Sequence, residues 1–128
     1  MCAFVHGNVK LRQSEGFMST SYHLIRFEGY LDISRYPEIR AAFEGAPAEV
    51  PVLVDLLDAV GVDSIFLSEM LMFKRRRRPL PVAVVIPPGG HLAKLFGIAS
   101  VGEKMDVFTN LSSAIDALGL GEEEPEAT

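Results

Sequence analysis

The chain has 128 residues, 48% of them hydrophobic, and a formal net charge of −5 at pH 7. That length suits one domain with a core of its own, and the hydrophobic share is too high for a disordered chain. The negative balance argues against a phosphate-backbone binder, no run of roughly 18 apolar residues offers a membrane span, and a lone cysteine, Cys2, allows neither an internal disulfide nor a cysteine-based zinc site.

Residues 1–20 read as an N-terminal extension or edge strand, with Val9 and Leu11 alternating against Lys10 and Arg12. They contain no apolar signal core, so a cytoplasmic protein is expected. Tyr22 to Phe27 is rich in strand formers and is expected to end at Glu28-Gly29. Asp32 or Ser34 offers an N-cap to a helix with Pro37 in its first turn and Ile39, Ala42 and Phe43 along one buried face. Gly45 and Pro47 stop that helix, and Val50 to Leu56 comes next as the near-continuous apolar run of a strand covered on both faces.

A short loop then leads to Asp63-Ser64 and a helix over about Ser64 to Arg77. Leu67, Met70, Leu71 and Lys74 share one side of it, with Phe66 and Phe73 on a flank. A hydroxyl at such a helix start can cap backbone N–H groups, and a phosphate would meet ready donors there. The basic run Lys74 to Arg78 complements the helix dipole; its alternative is a contact for an acidic protein partner. Val82 to Ile86 reads as a second fully buried strand, stopped by Pro87-Pro88-Gly89-Gly90. Beyond it lie a short helix with Leu92, Leu95 and Phe96, a short strand over Met105 to Phe108, and a last helix. Asn110 is expected to cap that helix, Leu111, Ala114, Ile115 and Leu118 to face inward, and Gly119 to end it. Residues 120–128 read as an acidic flexible tail. Strands alternating with helices imply an α/β domain with parallel pairing.

Taken in order, the junctions between these elements resemble those of the STAS domain, the family of bacterial anti-sigma factor antagonists whose fold also forms the cytoplasmic end of sulfate transporters. The resemblance spans roughly residues 22–118. It rests on Gly29-Tyr30-Leu31-Asp32 against the family's Gly-x-Leu-Asp, Val52-Leu53-Val54-Asp55-Leu56 against its third strand, and Asp63-Ser64 opening the second helix. Leu95-Phe96-Gly97-Ile98 before a short strand, and Val107-Phe108 with Ala114-Ile115 at the end, complete it. The implied fold is a single STAS-like α/β domain over residues 21–119, with a mixed, mostly parallel sheet of four to five strands and about four helices.

The resemblance also implies a partner switch. An unphosphorylated antagonist binds a GHKL-type serine kinase that otherwise holds a sigma factor, the kinase phosphorylates the Ser after Asp at the start of the second helix, and a phosphatase resets the system. Carried onto this chain, the phosphosite is Ser64, with Asp63 beside it and Asp32 nearby. Asp32, Asp63, Ile65, Phe66 and Phe73 are the expected partner-binding residues, the two phenylalanines on condition that they face water. The family places Ser or Thr and then Gly after Asp-Ser, whereas Ile65 and Phe66 stand here.

Alternatives remain open: a STAS scaffold that is never phosphorylated, in a stress-signalling assembly or beside a lipid-transport ABC system, and a small-ligand or nucleotide sensor using the Gly29–Asp32 and Asp63 loops. His6, His23 and His91 are scattered without metal-ligand spacing, and no nucleophile elbow, phosphate loop or dinucleotide fingerprint is present. No catalytic residue, metal or cofactor is therefore expected, nor nucleic acid or membrane insertion, and the expected state is a monomer or weak homodimer.

Overall fold

In the computed structural model, residues 4–10 and 21–123 are described, with side chains from Tyr22 to Leu118. The elements are β1 (Phe4–Lys10), β2 (Ser21–Leu31), a 3-10 turn (Ile33–Arg35), α1 (Tyr36–Glu44), β3 (Val52–Val62), α2 (Ser64–Arg76), β4 (Val82–Val85), α3 (Gly90–Ile98), a second 3-10 turn (Val101–Glu103), β5 (Asp106–Phe108) and α4 (Leu111–Glu123). They form a sheet of five strands in the order β1-β2-β3-β4-β5, with β1 antiparallel to β2 and every other pair parallel.

Strands that are consecutive both in sequence and in space, joined by crossovers of one hand, must carry their crossover helices on one face. The larger buried cluster shows this: Ile39 and Phe43 of α1, Phe66 and Met70 of α2 and Leu92 and Phe96 of α3 all meet the sheet on the side of Ile25, Phe27, Val54 and Val84. Ala114 and Leu118 of α4 cover the opposite face over Tyr22, Leu53, Ala83 and Val85. With both faces covered, β3 and β4 are apolar at nearly every position where they pair. The same covering buries both alternating sets of β2, Tyr22 on one side and Ile25 and Phe27 on the other.

The strands overrun their expected ends. β2 does not stop at Glu28-Gly29 but continues to Leu31, and β3 passes the expected loop to reach Val62. Two β-bulges make this possible, one between Arg26 and Glu28 and one between Gly29 and Tyr30. Gly29 has φ of 78°, a left-handed conformation suited to glycine, and a Cβ there would lie 3.4 Å from the Arg35 guanidinium. What reads in sequence as a stop is a kink in a continuing strand.

The buried stripe of α2 is Phe66, Leu67, Met70 and Phe73. Phe66 and Phe73, expected on a flank, are 0% and 2% exposed. Phe66 meets Phe27 edge-on at 5.3 Å between ring centroids, and Phe73 lies 4.7 Å from Phe43. The four rings lock α1 and α2 to β2, each pair adding about 0.5–1.5 kcal/mol beyond burial.

The basic run divides in two. Arg77 turns inward, stacks on Phe73 at 5.1 Å, and donates to the carbonyls of Pro47 and Val50 between α1 and β3. Arg75, Arg76 and Arg78 are exposed. At the far end, α4 passes Gly119 and Gly121 and runs to Glu123, each helical glycine costing only about 1 kcal/mol. Cys2, Leu11 and residues 124–128 lie outside the described residues.

Candidate functional site

β4 pairs with β3 only from Val52 to Asp55. Beyond that point, among the described residues, β2 and β3 continue as a two-stranded arm, paired through Glu28↔Asp58, Gly29↔Ala59, Tyr30↔Gly61 and Leu31↔Val62. Asp55 closes the wider sheet. Its carboxylate accepts the Leu57 N–H at 2.9 Å, just past the last β3–β4 pair, and the Arg26 Nε at 3.1 Å. Asp55 is 1% exposed, and these two donors offset the cost of burying its charge.

The arm ends in two aspartates side by side, because Leu31 pairs with Val62 and the Asp63 N–H donates to the Leu31 carbonyl at 3.1 Å. Each aspartate caps the next element of the chain. Asp32, at the 3-10 turn, accepts the Ser34 N–H at 3.0 Å and the Ser34 hydroxyl at 2.6 Å; these bonds, the hydroxyl's first, hold its carboxyl below the ordinary aspartate range. Asp63 accepts the Phe66 N–H at 3.0 Å as N-cap of α2.

Ser64 therefore is not the cap. It is the first residue of α2, exposed, and its hydroxyl makes no hydrogen bond among the described residues. Ile65 beside it is half-buried. Phe66 belongs to the core and Phe73 lies more than two turns along the helix, also buried, so neither presents a contact surface. Of the expected partner-binding residues, the structure brings Asp32, Asp63 and Ile65 together around Ser64. One turn on, Glu69 accepts from the Tyr36 hydroxyl at 3.1 Å and joins the start of α1 to α2.

Sequence reasoning passed over three features here. Arg35 donates to the carbonyls of Glu28 and Tyr30 at 2.6 and 3.2 Å and pairs with Glu38, which fixes the part of β2 opposite the β3 bulges against α1. The Tyr30 ring lies over Gly61, where a Cβ would stand 3.4 Å from it. The apolar side chains of Tyr30, Ile33 and Val60 are 52%, 61% and 68% exposed. The one sequence signal was Asp55, a charge inside a doubly covered strand. Among the described residues no group of three or more His, Cys, Asp or Glu could hold a metal, and no helix is long and apolar enough to cross a membrane.

The chain matches no protein-family model and no curated protein. Among solved structures it is similar to the anti-sigma factor antagonist SpoIIAA in its unphosphorylated form, with a TM-score of 0.56 and 17% identity over 88% of this chain and 97% of that one. It is also similar to an uncharacterized protein of the DUF3478 family with a SpoIIAA-like fold, from Shewanella loihica, with a TM-score of 0.51 and 16% identity over 91% and 94% of the two chains.

Proposed function

On the SpoIIAA-like STAS fold of this chain, we propose that it works by reversible binding to a protein partner under the control of Ser64, as an anti-sigma factor antagonist whose partner is a GHKL-type serine-kinase anti-sigma factor. A phosphatase resets it. The observation that carries this reading is the state of Ser64: Asp63 takes the capping role, which leaves the Ser64 hydroxyl exposed and uncommitted at a helix start. A hydroxyl with no structural duty is available to a kinase and can be changed without cost to the fold.

The electrostatics suit a switch. A phosphate adds about −1.5 to −2 charges at pH 7. The first turn of α2 offers favourable N–H groups, worth on the order of 1 kcal/mol or less at an exposed position. The ionised Asp32 and the capping Asp63 oppose the added charge with like charge. A partner surface fitted to a neutral hydroxyl then meets concentrated negative charge, and a loss of about 3 kcal/mol lowers affinity by roughly two decades.

The test is to incubate the protein and its Ser64→Ala variant with a GHKL-type serine kinase from the same genome and ATP, and to read intact mass. One added phosphate, absent from the variant, is expected. A second reading, a scaffold of the same fold that is never phosphorylated, is favoured by Ile65, a half-buried branched side chain next to the hydroxyl. Kinase binding by both forms with no mass gain selects that reading; neither binding nor phosphate rejects both.

A further inference from the structure

Among the described residues the exposed large apolar side chains are Tyr30, Ile33, Val60, Met72 and Ile98, and the first three gather on the β2–β3 arm and the turn that leaves it. Single exposed apolar residues are ordinary on a protein surface, but a group on one element marks a contact site. We propose that the outer surface of this arm is the docking face for a protein partner that presents an apolar side chain within a rim of arginine or lysine. The proposal deepens the partner-binding reading above and does not require phosphorylation of Ser64.

Charge complementarity decides the kind of partner. Glu28 and Asp58 are cross-strand neighbours and both exposed, a like-charge arrangement that weakens a sheet. Asp32 and Asp63 stand at the two strand ends. The adjacent arginines are engaged elsewhere, Arg26 with the buried Asp55 and Arg35 with Glu38 and two strand carbonyls. The arm thus shows apolar side chains in an acidic frame, and cations on a partner would both complement that frame and relieve its internal repulsion.

The geometry also decides the mode of binding. β3 has no strand beside it from Leu56 to Val62 on the side away from β2 among the described residues. An open edge invites an added strand, but bulges interrupt the regular repeat that strand addition needs. At the second bulge Val60 is the extra residue of β3, between Ala59 opposite Gly29 and Gly61 opposite Tyr30. The partner therefore engages side chains, with Val60 and Tyr30 as its anchors. Tyr30 is held in place, since Gly61 seats its ring and Arg35 ties the Glu28 and Tyr30 carbonyls to α1.

The test is a backbone-amide NMR titration of the full chain with a short peptide of arginine and leucine, and with its glutamate–leucine counterpart. The expected result is shift changes confined to residues 28–33 and 58–64 for the cationic peptide alone, weakening as salt rises. The double variant Glu28→Lys with Asp58→Lys, which keeps a like-charge pair and so leaves the strain in the sheet unchanged, should lower affinity by about tenfold or more. Val60→Ser should weaken binding without altering the spectrum elsewhere. Equal shifts from both peptides, shifts centred on another surface, no shifts, or concentration-dependent pairing of the chain with itself through the arm would each overturn the proposal. Phosphate on Ser64 with a silent arm overturns the docking face alone; a responsive arm without phosphate overturns the switch alone.

Discussion

At the junction of β3 and α2, adjacent side chains hold different tasks. Asp63 is the structural residue: its carboxylate satisfies an N–H group that the helix start leaves without a partner. Replacing it with alanine should cost about 1 kcal/mol in urea unfolding, whereas Ser64→Ala should stay within about 0.5 kcal/mol, so that any functional loss in the latter reports on control and not on folding. Asp32 carries a pH signature. Its folded-state carboxyl titrates below its unfolded value because of the Ser34 bonds, so its contribution to stability is present above about pH 4 and is lost as pH falls through the lower folded value. An NMR titration should place its midpoint below that of an ordinary aspartate, and Ser34→Ala should raise it. Asp55 is the costly position: Asp55→Ala strands the Leu57 N–H and frees Arg26, for about 2–4 kcal/mol in denaturant unfolding.

For the helices and the arm, burial separates residues that look alike in sequence. Arg75, Arg76, Arg77 and Arg78 are identical letters, but only Arg77 reaches two carbonyls and an aromatic face. Arg77→Ala should destabilise by about 1–3 kcal/mol, and alanine at Arg75 or Arg76 should change stability by less than about 0.5 kcal/mol, as read from thermal or urea transitions. The cause is visible in the turn of the chain: Arg77 lies one step past the α2 helix, on the side of Phe73 that faces the α1–β3 connection. Phe66 and Phe73 were legible as a pair seven residues apart, but their side of the helix was not. A helix with apolar residues at 66, 67, 70, 71 and 73 has a wide stripe, and its centre is set by the element it meets. Here Phe27 and Phe43 supply the facing rings.

Over the whole molecule, three crossover helices share one face of the sheet and, among the described residues, α4 is the helix that closes the other. A chain ending at Asn110 would expose Leu53, Ala83 and Val85, and it should bind a hydrophobic dye and lose its cooperative transition. The arrangement also places the site. Among the described residues the sheet narrows from five strands to two toward the ends of β2 and β3; Leu31, Ala59 and Val62 of the arm stay packed in the core, while Ser64 is exposed at the start of α2.

The element order, the two continuous buried strands, the capping Asn110 and the junction residues of the STAS pattern were legible because they are local: period, punctuation and propensity act within a few residues. The identity of the cap at α2, the inward face of its phenylalanines and the divided basic run were decided by contacts between residues distant in sequence. The arm was decided the same way. Gly29 reads as the end of a strand and Gly61 falls in the expected loop, and only the pairing of β2 with β3 sets the first beside a bulge of β3 and makes the second a seat for Tyr30. Sequence determined which elements form and in what order; tertiary structure alone decided which side chains remain at the surface, because exposure depends on what packs against a residue and not on the residue itself.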